Sequence, residues 1–251
     1  MNVIKKFRKP GLEGSSIQRI PNFNLNDFFE RITVLKNYCN LIKTQDKEYQ
    51  ILMKNQLLVT LVSTIEYNLK SFFSYLIDDM DIDPKNILYE DSIEINLDVL
   101  KQLKSSNLTK GRIITAHLNT LKPSKLYSIM SRINNLDYFE WYDSITGAHK
   151  TYDEFLNLHE ERNDIIHNLI DTEKSLSELD HTIAANSNIS IQLVVFTKLN
   201  LGIFEKNWSN EKINQEYDLM FKNAPITIEK FKKITKEFRN EYVPRKPYFK
   251  K

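Results

Sequence analysis

Residues 151–170 read TYDEFLNLHEERNDIIHNLI, and how this stretch folds decides the architecture. Thr151 followed by Glu154 has the spacing of a capping box, in which each side chain satisfies a free backbone N–H at a helix start. A helix is therefore predicted to open at Thr151 and run to about Ile170. At about 100° per residue, Phe155, Leu158, Ile165, Ile166, Leu169 and Ile170 form one apolar face. Arg162 falls in the middle of that face. Asn163 and His167 lie one turn apart along its edge, while Glu160, Glu161, Asp164 and Asn168 point away. An arginine in an apolar stripe is unfavourable unless something compensates its charge: a carboxylate, a subunit interface or a bound anion. The plainer alternative is that its stem covers the core while its head reaches water.

The flanking sequence is also helical. Asn24 or Asn26 can cap a first helix carrying Phe28, Phe29, Ile32, Leu35, Tyr38, Cys39 and Ile42. A longer helix is predicted from about Glu48 to Ile77, with Leu58, Leu61, Val62, Ile65, Leu69, Phe72, Phe73 and Leu76 at i, i+3, i+4 spacing. Downstream, Ser175 and Glu178 repeat the capping box and open another helix, which Asn186 to Asn188 can interrupt. Further helices are expected over about 210–222 and 226–242. The stretch from about 80 to 150 is less regular. It holds a turn at Asp81 to Pro84, a short strand at Ser92 to Leu97, a short helix from Asp98 to about Ser105, an ambiguous segment over 107–121 and a short helix from Ser124 to Asn134. The aromatic cluster Tyr138, Phe139, Trp141 and Tyr142 is read as core packing rather than as a platform for RNA bases.

Composition agrees with an all-α protein. The chain has only 5 glycines and 7 prolines in 251 residues, and 41% of its residues are hydrophobic. Such glycine scarcity disfavours turn-rich β folds and phosphate-cradling loops. The expected organisation is an extended basic segment over 1–23, a single helical domain over 24–242 with the insertion at about 80–150, and a basic tail over 243–251. A net charge of +2 does not by itself indicate nucleic-acid binding. The basic ends, with Lys5, Lys6, Arg8 and Lys9 at one and Arg245, Lys246, Lys250 and Lys251 at the other, read as solvated tails, with phosphate contact as the sharper alternative. The single cysteine, Cys39, rules out an intramolecular disulfide and is expected in the core or at an interface. No window approaches a membrane span, and no apolar run follows the basic N-terminus, so a cytoplasmic location is expected.

The chemistry suggested by residues 162–167 is metal-independent RNA cleavage. That reaction uses the adjacent 2′-hydroxyl as nucleophile. It needs a proton carrier, which histidine as a residue type supplies near neutral pH, and a permanent cation shaped for phosphate, which arginine supplies. Arg162-Asn163 followed by His167, near the end of a long helix, resembles the signature of the HEPN superfamily. The stretch LVSTIEYNLKSFFSYL over 61–76 is similar to the long preceding helix of RiboL-PSP-type HEPN domains. The resemblance covers about 25–80 and 150–200. It implies a HEPN-like helical bundle that dimerises, with two signature helices forming one cleft. It also implies ribonuclease activity in toxin–antitoxin, abortive-infection or antiviral defence systems, with an antitoxin or other defence protein as a possible partner. Arg162, Asn163 and His167 are then the catalytic residues. The competing expectation is a non-catalytic HEPN-like dimer that serves as an RNA- or partner-binding scaffold.

Other features carry less. Glu66, at the edge of the long helix's stripe, is either a solvated glutamate or a support that pairs with Arg162 or orients His167. Arg112 and His117 repeat the Arg-x4-His spacing. The polar residue after the arginine is missing there and no convincing capped helix surrounds the pair, so it reads as a coincidence, with a degenerate second site or RNA contact as the minor alternative. His159 and His181 are expected at the surface. Asp78, Asp79, Asp81 and Asp83 read as a helix end and turn rather than a cation site. Neither metal-ligand spacing nor a Gly-rich phosphate loop is present, so no metal or cofactor is expected.

Overall fold

The computed structural model describes residues 23, 25–80, 82–83, 87, 109–116, 123–146 and 151–201, with isolated positions at 211, 233, 236 and 237. The described residues are all-α and contain no strand. The helices are α1 (Leu25–Ile42), α2 (Lys47–Asp78), α3 (Lys110–Ala116), α4 (Pro123–Asn134), α5 (Tyr138–Thr146), α6 (Thr151–Asn163) and α7 (Leu176–Asn200), with a π-helical turn at Asp164–Asn168 directly after α6. The expected strand at 92–97 and the helix at 98–105 lie outside the described residues, as do both chain ends; of the helices expected at 210–222 and 226–242 only positions 211, 233, 236 and 237 are described, and these are helical.

α2 is the axis of the bundle, packed against α1, α3, α6 and α7. Its length follows from the uninterrupted apolar pattern. Leu57, Leu58, Leu61, Val62, Ile65, Leu69, Phe72, Phe73, Leu76 and Ile77 are all buried. Each such side chain removed from water contributes about 1.5–3 kcal/mol, and α2 supplies more of the described core than any other helix. α1 reaches α2 through a short connection, which leaves the two as neighbours in the manner of a helical hairpin. On α1, Phe28, Ile32, Leu35, Cys39 and Ile42 face inward, whereas Phe29 is exposed. Cys39 is buried, as its pattern implied, and its thiol points to the Leu176 carbonyl oxygen at 3.7 Å, where α1 meets the start of α7.

Much of the region read as irregular is helical. α4 and α5 pack on each other and contribute Leu126, Ile129, Met130, Ile133, Leu136, Tyr138, Phe139 and Trp141 to the core. The aromatic cluster is thus core: the Trp141 ring lies 3.9 Å from that of Phe196 on α7, and Tyr138 is wholly buried. α4 ends where Asn135 takes a left-handed conformation (φ 53°), with the Leu136 N–H donating to the Ser131 carbonyl at 3.2 Å.

The ambiguous 107–121 stretch contains α3, and that helix is capped. The Arg112 N–H donates to Thr109 Oγ1 at 3.3 Å. The Gly111 N–H donates to Asp78 Oδ1 at 2.7 Å, so the last carboxylate of α2 closes the first turn of α3. A Cβ at Gly111 would lie 2.4 Å from the Ser74 carbonyl oxygen, which explains a glycine inside a helix. α7 also differs from expectation: it runs unbroken through Asn186 to Asn188. Asn186 is buried, and its amide donates to the Thr182 carbonyl one turn back at 3.0 Å, so the polar residue is absorbed without breaking the helix.

Candidate functional site

α6 begins at Thr151, where the sequence placed it, and buries Phe155 and Leu158 as expected. His159 continues that stripe. It was expected at the surface, yet it is only 4% exposed. Its ring meets the Phe155 ring edge-on at 4.6 Å. Burial, with the Arg162 guanidinium one turn away as a second cause, lowers its pKa from 6.5 to about 4, so the imidazole is neutral at physiological pH. Nε2 has no hydrogen-bond partner among the described residues. The signal for this placement was present: position 159 is one turn from both Phe155 and Arg162, on the stripe itself.

The apolar face does not continue to Ile170. After Asn163 the helix widens into the π turn. Ile165 is half-buried, but Ile166 (37%), Leu169 (85%) and Ile170 (55%) are exposed. The turn closes at Leu169, which adopts the left-handed conformation (φ 54°), and the N–H groups of Leu169 and Ile170 both reach the Asp164 carbonyl. A left-handed non-glycine residue costs about 1–2 kcal/mol, so the surroundings must hold it there.

The π turn has a geometric consequence for the signature residues. On an α-helix, residues five apart are about 140° out of line. A π turn closes from i to i+5, so its wider winding narrows that angle between Arg162 and His167. Asn163 Oδ1 accepts a hydrogen bond from Arg162 Nη1 at 2.9 Å, orienting the guanidinium. Arg162 is half-buried and His167 is exposed. No carboxylate among the described residues pairs with Arg162. The head of this arginine therefore stands at the edge of the core with its charge uncompensated by any carboxylate among the described residues. Asn168 donates to Asp164 Oδ1 at 2.8 Å on the outer side.

Beyond the turn the chain folds back and is fastened to two helices. Asn55 of α2 accepts from the Thr172 N–H at 3.0 Å and donates to Asp171 Oδ1 at 2.6 Å. Lys54 donates to the Lys174 carbonyl at 2.7 Å. Glu161, expected to point away, instead turns inward: its carboxylate accepts from Thr172 Oγ1 and pairs with Lys174. α7 then starts with the predicted box, the Ser175 N–H donating to Glu178 Oε2 at 2.7 Å and the Glu178 N–H to Ser175 Oγ at 3.3 Å. That bonding lowers the pKa of the Glu178 carboxyl.

The remaining candidates separate from this site. Glu66 pairs with Lys70 on its own helix at 2.8 Å rather than with Arg162. Arg112 is half-buried in α3, which, contrary to expectation, is a capped helix; His117 lies outside the described residues. His181 is exposed on α7. No group of three or more metal-ligating side chains occurs among the described residues, and none of their helices is long and apolar enough to cross a membrane. No protein-family model, curated protein or solved structure matches the chain.

Proposed function

We propose that the chain is a metal-independent endoribonuclease of HEPN type, acting in a toxin or defence setting. What supports this reading is one arrangement: an exposed histidine on a π turn that directly follows an arginine whose guanidinium is oriented by asparagine and has no described carboxylate partner. Arg162 holds the scissile phosphate and stabilises the charge that builds on it during attack. The 2′-oxygen bonds to phosphorus as the bond to the 5′-oxygen breaks, leaving a 2′,3′-cyclic phosphate and a 5′-hydroxyl. His167 takes the proton from the 2′-hydroxyl or delivers one to the departing oxygen, and Asn163 positions Arg162. Two copies of the chain supply the two proton-transfer roles in a homodimer. The exposed Ile166, Leu169 and Ile170 beside His167 favour an apolar contact between them.

The same apolar exposure favours a second reading, a non-catalytic scaffold in which Arg162 holds an RNA phosphate or a partner carboxylate. His167→Ala separates the two. The enzyme reading expects RNA cutting to fall about 10²–10⁴-fold while RNA binding persists. The scaffold reading expects no cutting by the wild type and no change on substitution.

A further inference from the structure

We infer that Asn55 is a positioning residue for the 162–167 site: by clasping Asp171 and Thr172 it forces the π turn that brings His167 to the side of Arg162. The inference rests on the ribonuclease reading for its effect on catalysis but on geometry alone for its effect on the turn.

Residues 155–170 carry an apolar pattern that suits an uninterrupted α-helix. An α-helix continued past Asn163 would carry Thr172 about 13 Å further along the axis. Instead Thr172 lies back beside α6, where its hydroxyl donates to Glu161, and its N–H is held by a side chain 117 residues away in sequence. The chain can meet both partners only by stopping the helix early and reversing. The wide turn at Asp164–Asn168 and the left-handed Leu169 are that reversal. Both are locally unfavourable, and the exposure of Leu169 shows that no burial of its own side chain holds it. The exposed Asn168–Asp164 side-chain bond joins two residues of the turn itself; what ties the turn to the rest of the fold is downstream, and Asn55 is its most specific element. One amide accepts from a buried residue's backbone N–H and donates to the adjacent carboxylate, with Lys54 fastening Lys174 just beyond. Removing the clasp frees 164–170 to return to the α-helix its pattern favours, which turns His167 away from Arg162.

The test uses the full chain with Asn55→Ala, Asn55→Asp, and Asn55→Asp combined with Asp171→Asn. The first loses both bonds. The second sets two carboxylates against each other. The third restores an amide–carboxylate pair with the roles exchanged while keeping an acceptor for the Thr172 N–H. Backbone NMR of residues 164–170, the Leu169 coupling constant and the His167 ring signals report the turn without reference to activity. The expected result is α-helical shifts over 164–170 and a moved His167 signal in both single variants, with recovery in the double variant. Cleavage should follow, kcat falling about 10- to 100-fold with little change in KM and returning in the double variant. Unchanged backbone and His167 signals in Asn55→Ala would overturn the inference. So would unchanged kcat in a wild type that cuts RNA. A wild type that does not cut RNA defeats the ribonuclease reading instead, and the NMR arm still decides whether Asn55 sets the turn.

Discussion

His159 shows how a single side chain couples the candidate site to the core. Its folded pKa of about 4 lies below the unfolded value near 6.5, so the unfolded chain binds the proton more readily between those limits. The resulting stability is complete above about pH 6.5 and is lost as pH falls toward 4, a change of about 3 kcal/mol. Urea unfolding at pH 7.5, 5.5 and 4.5 should show that decline, and His159→Leu should flatten it. Leu169 bears the opposite kind of strain. Leu169→Gly removes the left-handed penalty and should stabilise the protein by about 1 kcal/mol, read as a raised Tm. At this scale the sequence singled out Arg162, Asn163 and His167 as candidates by residue type and spacing. It also held the signal for His159, one turn from Phe155 and Arg162. It gave no sign of the partners of Glu161, because a periodic pattern carries no information about Thr172 or Lys174 folding back.

Element boundaries were legible where local chemistry sets them. The capping box at Ser175 opens α7 as its spacing required, and Ser175→Ala should cost about 0.5–2 kcal/mol in chemical denaturation. The end of α6 was not legible. The apolar stripe extends to Ile170, but the helix yields at Asn163 because Asn55, 108 positions before Asn163, takes hold of the chain beyond. α3 was hidden for a related reason. Its start depends on the Asp78 carboxylate of another helix and on the absence of a side chain at Gly111. Gly111→Ala should therefore destabilise the protein despite alanine's greater helix propensity. A fall in Tm checks this, and a rise would mean that the approach of α3 to Ser74 is not tight.

At the scale of the whole molecule, the long stripe of α2 specified a helical bundle, and it is the surface on which α1, α3, α6 and α7 assemble. Phe72→Ala should cost about 3–5 kcal/mol, measured by urea unfolding, as a wholly buried ring is removed from that axis. In the region between α2 and α6, α4 was legible at its expected place over 124–134, whereas α3 and α5 were legible only as apolar content. A helix as short as α5 is marginal by its own propensity and is held by the packing of Tyr138 and Trp141 on Phe196 of α7, so its order was invisible locally. The proposed homodimer should give twice the 29.7 kDa chain mass in light scattering at micromolar concentration, and Leu169→Asp should shift the mass toward the monomer. The most direct measurement is cleavage of labelled single-stranded and structured RNA in excess EDTA, with wild type beside Arg162→Ala and His167→Ala. Cutting should survive EDTA and be lost in both variants; no cutting by the wild type, or cutting that persists in either variant, would rule out a metal-independent ribonuclease built on Arg162 and His167.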